Sequence, residues 1–227
     1  VNGFLTVNGK KMSKSRGTFI KARTYLNHSK PEYLRYYYAY KTNSGIDDFD
    51  LDTNDFEKRV NSDLVGKWIN IASRSAKFIN KYFENKISQS LDNPELIKTF
   101  QEASEDISSL YEKREFGQAM RKIMLLADQA NQYLEKEKPW VLIKDELNYE
   151  KVHAVCSTAI NLFFILMVYL KPVVPNIAKE AEQFLNLESQ CWNDINKTIL
   201  SHKINDYPAL LTRIKKEDLE LIIKDSI

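Results

Sequence analysis

From residue 20 onward the apolar side chains recur at intervals of three and four, the period of a helix with one buried face. Pro31 stands at a first helical position after Ser29, and Tyr33, Tyr36, Tyr37 and Tyr40 then share a face, which predicts a helix through Tyr40. Asn54 with Glu57 has the form of a capping box. Phe56, Val60, Leu64, Trp68, Ala72, Ala76, Ile79 and Phe83 follow as one stripe, so residues 53–85 are expected to form a single long helix. Asn93 and Pro94 open the next helix, with Leu96, Phe100, Ala103, Ile107 and Leu110 on its face. Gly117 interrupts the pattern before Ala119, Met120, Ile123, Ala127, Ala130 and Leu134 resume it, until Pro139 stops it. From Val155 through Leu170 the chain is apolar on most sides, as the central helix of a bundle would be. Pro172 ends that helix and Pro175 starts a shorter one through Leu187; the tail carries an extended piece at 202–204 and helical signals at 210–214 and 218–223.

Only the first 19 residues have strand and turn character. Phe4 to Val7 suit a short strand, Asn8 and Gly9 a tight turn, and a polar, basic segment runs from Lys10 to Gly17. Residues 45–52 read as an acidic connector. The resulting expectation is a mainly α protein, with a small loop-bearing module over residues 1–52 and an α-helical bundle over residues 53–227.

Composition narrows this picture. Six glycines and six prolines in 227 residues are few, which favours long helices over sandwiches or barrels. Lysine and arginine, 33 in all, nearly balance 31 acidic residues, for a net charge of +2, so any nucleic-acid binding must come from a local patch. The longest apolar run, Leu162 to Leu170, is about half of a bilayer span, and no basic-apolar leader is visible, so a cytoplasmic chain without a membrane anchor is expected. Cys156 and Cys191 lack CxxC spacing and His28, His153 and His202 are scattered, which points to reduced thiols and no metal site. The chain opens at Val1 inside its strand-and-turn segment and reads as a piece of something longer.

The sharpest local chemistry lies at Lys10 to Gly17, K-K-M-S-K-S-R-G. Lys10, Lys11, Lys14 and Arg16 with the hydroxyls of Ser13 and Ser15 make an anion-binding loop of the kind phosphoryl and nucleotidyl transfer needs. Positioned cations there stabilise charge that develops on phosphate oxygens. On charge alone the same run also reads as a solvated surface loop. The order of residues adds information: Lys11-Met12-Ser13-Lys14-Ser15 is similar to the KMSKS signature of class I aminoacyl-tRNA synthetases. Its flanks, Gly3-Phe4-Leu5-Thr6-Val7-Asn8-Gly9 and Arg16-Gly17-Thr18, resemble those of the methionyl branch. The resemblance continues through Tyr33-Leu34-Arg35-Tyr36-Tyr37, Asp47-Asp48-Phe49-Asp50-Leu51, the helix from Asn61 to Arg74, Lys138-Pro139-Trp140 and Leu170-Lys171-Pro172-Val173-Val174-Pro175. It covers nearly the whole chain and matches the C-terminal part of the bacterial enzymes.

What the resemblance implies is specific. Lys14 stabilises the departing pyrophosphate while the methionine carboxylate attacks the α-phosphate of ATP, supplied with Mg as substrate. Lys11 assists as a second cation, Ser13 and Ser15 hold the loop or touch phosphate oxygens, and Met12 packs the loop back onto its neighbours. The nucleotide-binding half of such enzymes, with its HIGH-type motif, methionine pocket and zinc-bearing insertion, is not represented, so this chain alone is expected to be inactive in aminoacylation. The bundle resembles the anticodon-binding domain of class I synthetases, and the implied RNA partner is tRNA(Met).

Within the bundle, a helical wheel centred on Trp68 puts Gly66, Asn70 and Arg74 near the opposite side, where an amide and a guanidinium can hydrogen-bond bases or phosphate. By residues alone this face reads first as a hydrated helix surface; the resemblance aligns it with positions facing the CAU anticodon. Trp140, with Pro139 fixing its approach, belongs to the same site by resemblance and stacks on an unstacked base, its rival role being a core plug. Lys138 and Lys144 are candidate phosphate partners. Some members carry asparagine at the Gly66 position, and glycine there removes a polar reader and costs the helix about 1 kcal/mol. A monomer is expected. Two other classes of function remain open at this point: a free-standing tRNA-binding module, and a structural interaction domain.

Overall fold

A computed structural model describes residues 3–13 and 19–226. Its N-terminal part is a three-stranded sheet in the order β2-β1-β3, formed by β1 (Leu5–Val7), β2 (Lys10–Lys11) and β3 (Phe49–Leu51). β1 and β2 are antiparallel, with Thr6 opposite Lys11, and they turn through Asn8 and Gly9 at φ 49° and 71°, the left-handed pair that a two-residue hairpin demands. β3 lies parallel to β1, with Thr6 opposite Asp50. This strand corrects the expectation of a plain connector over residues 45–52. Its acidic residues serve local structure: Asp50 Oδ1 accepts from Thr6 Oγ1 at 2.6 Å and from Gly9 N at 2.8 Å, and Asp48 accepts from Phe4 N at 2.8 Å.

The crossover from the hairpin to β3 carries α1 (Ala22–His28) and α2 (Pro31–Lys41), the latter opened by Pro31 as expected. Tyr33, Tyr36 and Tyr37 are buried, joining this module to the bundle. A long helical rod follows: α3 (Thr53–Val60), a π-helical stretch (Asn61–Ile69) and α4 (Asn70–Tyr82). Asp52, not Asn54, caps it, accepting from Asn54 N at 2.8 Å and Asp55 N at 3.0 Å. The rod ends at Tyr82, three residues before its expected end, because Glu84 and Asn85 adopt left-handed φ of 51° and 62°. The apolar stripe from Phe56 through Ile79 is buried as its phase required.

The bundle is completed by α5 (Pro94–Glu102), α6 (Ser104–Glu112), α7 (Phe116–Glu137), α8 (Pro139–Leu142), α9 (Tyr149–Leu170) and α10 (Pro175–Phe184). Asn93 caps α5 by accepting from Leu96 N at 3.0 Å. Gly117 does more than interrupt a pattern: a Cβ there would lie 2.7 Å from Tyr40 O, so its absence lets α7 close onto the end of α2, where Gly117 N donates to Thr42 O at 2.8 Å. Every residue from Val155 to Leu170 is buried, and Phe163 stacks on Trp68 at 5.5 Å. The stretch 146–170 is long and apolar enough to cross a membrane, yet 89% of its apolar window is buried inside the protein, which makes it the bundle's core helix.

Two asparagines pin the tail across the bundle. Asn161 exchanges hydrogen bonds with the backbone of Ile199, and Asn61 does so with Ile214. The extended piece at 202–204 pairs through Lys203 with Lys86. Residues 210–214, expected to be helical, are instead irregular; Leu210, Leu211 and Ile214 point inward while Tyr33 Oη donates to Thr212 O at 2.8 Å, so burial rather than periodicity holds them. α11 (Lys216–Lys224) then packs on α1, tied by His28 and Asp225 at 2.9 Å. One contiguous apolar core runs from Val7 to Ile222.

Candidate nucleic-acid interface

Asn70 opens α4, and Arg74 stands one turn later on the same face. That face is not the free hydrated stripe drawn on a regular wheel. The π-helical turns before it advance by less than 100° per residue, which rotates α4 so that both side chains border α7. Asn70 Nδ2 donates to Asn131 Oδ1 at 3.0 Å, and Asn131 Nδ2 donates in turn to Lys67 O at 3.0 Å and Ala127 O at 2.8 Å. Asn131 therefore sets the orientation of the Asn70 amide. Among the described residues no donor reaches Asn70 Oδ1, which leaves an acceptor for an outside group.

Arg74 lies with its guanidinium carbon 4.2 Å from the centroid of the Trp140 ring, while its Nη2 meets Glu135 Oε1 at 2.7 Å. The Arg74 side chain is 26% exposed and Glu135 59%, so this ion pair is worth about 1 kcal/mol or less and yields readily to another anion. Stacking on indole fixes the plane of the guanidinium and leaves its edge donors usable.

Trp140 sits in the first turn of α8, half-buried, between the two roles set out for it: one face on Arg74, part of the ring in solvent. The stop before it differs from expectation. Lys138, at φ 47°, ends α7 in the left-handed conformation, and Pro139 opens α8 at its first position, buried beneath the turn. Lys138 and Lys144 are exposed on either side of the indole in sequence. Gly66 lies in the π-helical stretch, where a Cβ would approach Asn61 O to 3.1 Å; it contributes no group to the cluster.

The structure thus brings Asn70, Arg74 and Trp140 together and adds Asn131 and Glu135, which sequence reasoning missed. Their spacing from Ala127 by one and two helical turns placed them on one face of α7, and an asparagine in mid-helix, against its propensity, was the available signal. In the π-helical stretch before the cluster, Asp63 is 1% exposed and accepts from Tyr36 Oη at 2.9 Å, with Arg59 at 3.5 Å and Lys67 at 3.9 Å; burial and the facing carboxylate push the Tyr36 hydroxyl well above its usual range.

Of the basic loop, Lys11 is exposed on β2, Met12 is half-buried against the core and Ser13 is half-buried. Lys14 and Ser15, with Arg16 to Thr18, lie outside the described residues. Among the described residues no group of three or more His, Cys, Asp or Glu side chains converges on a common point.

Residues 1–76, which run from the three-stranded sheet into α4, match the family model described as tRNA synthetases class I (M). Residues 87–220, more than half of the sequence, match the anticodon binding domain of methionyl tRNA ligase. The chain belongs to the methionyl-tRNA ligase family. It is 52% identical over 225 residues to methionine–tRNA ligases of Francisella tularensis subsp. tularensis and subsp. holarctica, covering 99% of this chain and 33% of theirs. The chain therefore spans about a third of the length of these curated relatives. Its fold superposes on Mycobacterium tuberculosis methionyl-tRNA synthetase in complex with methionyl-adenylate, with a TM-score of 0.82 at 20% identity over 92% of this chain and 42% of that one. The apo form of that protein gives 0.74 at 16% identity, over 81% of this chain and 39% of that one.

Proposed function

We propose that this chain reads the CAU anticodon of tRNA(Met) on behalf of a methionine–tRNA ligase and supplies the basic loop that assists methionyl-adenylate formation. The observation that carries the reading is the stacked Arg74–Trp140 pair beside an Asn70 amide held in a fixed orientation. Trp140 offers its free ring surface to an unstacked anticodon base, with Pro139 fixing the approach. Arg74 exchanges Glu135 for a base edge or phosphate, and Asn70 presents Oδ1 to a base amino group.

At the other end, the methionine carboxylate attacks the α-phosphate of ATP, delivered with Mg as substrate, and pyrophosphate leaves. Lys14 takes up the charge on the departing pyrophosphate and Lys11 supports it. Ser13 and Ser15 bond phosphate oxygens, and Met12 anchors the strand end against the core. Residues 1–52 form the loop-bearing module and 53–227 the anticodon-binding part; the Asp52 cap at the head of the rod supports that division. The chain acts as a monomeric part of a cytoplasmic translation enzyme, and without the nucleotide-binding half it does not catalyse.

The test is a titration with an anticodon stem-loop bearing CAU, beside one altered only in those three bases. Wild type is expected to favour CAU, and Trp140→Ala to abolish the preference; weak, salt-sensitive binding indifferent to both would overturn the reading. Methionine-dependent ATP–pyrophosphate exchange by the chain alone would contradict its dependence on the other half.

A further inference from the structure

The row that begins at Arg74 continues along α4 with Phe78 and Tyr82, each one turn further on, about 12 Å from first to last at the helical rise. Both rings are half-buried, so each keeps part of its surface in solvent. Their centroids are 6.4 Å apart with only 19° between planes, too far for overlap and too parallel for an edge contact; they form a stepped platform. The 139–149 connector meets this row at both ends, with Trp140 over Arg74 and Tyr149 edge-on to Tyr82 at 5.8 Å. Lys77 and Lys81 are exposed next to the row on α4, and Lys81 Nζ rests 4.9 Å from the Tyr82 ring centroid. Lys138 and Lys144 are exposed on the connector side.

We infer that the Phe78–Tyr82 platform binds single-stranded RNA next to the anticodon, stacking about two splayed loop bases while Lys77 and Lys81 pair with their phosphates. This rests on the anticodon-loop reading of Arg74 and Trp140 and extends it along the same helix. Three features favour RNA as the occupant: continuity with the Arg74–Trp140 pair, aromatic faces that accept any base, and cations at the spacing of a helical edge. Arriving at Tyr82, a base displaces the Lys81 ammonium from the ring and frees it for phosphate. Because stacking is tolerant of sequence, the platform adds affinity and sets the path of the loop, while discrimination of CAU stays with Asn70, Arg74 and Trp140.

The experiment uses the chain and CAU stem-loops carrying a single 2-aminopurine at each loop position flanking the anticodon in turn. Wild type is expected to quench the probe at one or more adjoining positions. Phe78→Leu and Tyr82→Leu, which keep apolar contact but remove the ring, should relieve the quench and weaken binding about fivefold or more, with the CAU preference retained. Lys77→Gln combined with Lys81→Gln replaces two exposed side chains and should flatten the slope of log K against log salt by about one to two. An intact CAU preference, with both leucine variants and the double lysine variant binding and quenching like wild type, would overturn the platform alone. Absence of any CAU preference in wild type would overturn the anticodon reading beneath it.

Discussion

Asn131→Ala is the most informative single change, because one side chain ties α7 to the π-helical stretch and to Asn70. The alanine removes the acceptor of Asn70 Nδ2 and the donor to Lys67 O, each at 3.0 Å. Ala127 O, the third partner, lies within α7 and keeps its ladder bond. Two net hydrogen bonds at about 1 kcal/mol each give about 2 kcal/mol, from which roughly 0.5 kcal/mol is recovered by the better helix propensity of alanine. A loss near 1.5 kcal/mol should lower Tm by about 3–6 °C for a chain of this size. With its amide unanchored, Asn70 should lose about 1 kcal/mol of base discrimination, roughly a fivefold drop in the CAU preference. Urea denaturation and stem-loop titration measure the two effects. A cycle with Asn70→Ala should show about 0.5 kcal/mol or more of coupling. Stability within about 0.3 kcal/mol of wild type, zero coupling and an unaltered CAU preference would refute the claim that Asn131 positions Asn70.

Three further outcomes follow from the geometry. Asp63→Ala leaves Tyr36 Oη, Arg59 and Lys67 without their buried acceptor and should cost about 3 kcal/mol in urea denaturation, against about 1 kcal/mol for Tyr36→Phe; equal values would deny Asp63 its charge role. Hydrogen bonds from Lys197 and from the Cys191 backbone hold the Asp194 carboxyl down, from its ordinary 3.8 to about 2. The group therefore stabilises the 191–197 turn fully above about pH 4, and that contribution fades as pH falls towards about 2; hydrogen exchange at the turn should show this window, and Asp194→Asn should erase it. Burial pushes the Cys156 thiol far above its usual range while Cys191 is exposed, so native alkylation followed by mass spectrometry should label Cys191 and spare Cys156 until the chain unfolds.

Much of this architecture is visible in the order of residues where a single local rule suffices. The stripe from Phe56 to Ile79 phases its helix, Asn8-Gly9 specifies a hairpin, and Pro31, Pro94 and Pro175 each mark a helix start. Failures occur where a partner distant in sequence decides. β3 has three residues with an aspartate in the middle and exists because β1 offers it a parallel edge. Residues 210–214 have helical spacing, but Asn61 and Tyr33 claim their backbone groups. The change of register between Asn61 and Ile69 leaves no periodic trace, and it turned a predicted open stripe into a seam with α7. Asn70, Arg74, Pro139 and Trp140 were nameable through a family resemblance, whereas Asn131 and Glu135 complete the cluster from a helix whose facing direction only the packed structure provides.

A crystal structure of the chain bound to a CAU anticodon stem-loop would show directly whether Asn70, Arg74 and Trp140 hold the anticodon. The complex is expected to show an anticodon base stacked on Trp140, Arg74 withdrawn from Glu135 to a base edge or phosphate, and Asn70 still held by Asn131. RNA docked elsewhere, with Arg74 still paired to Glu135 and no base near the indole, would contradict the anticodon reading.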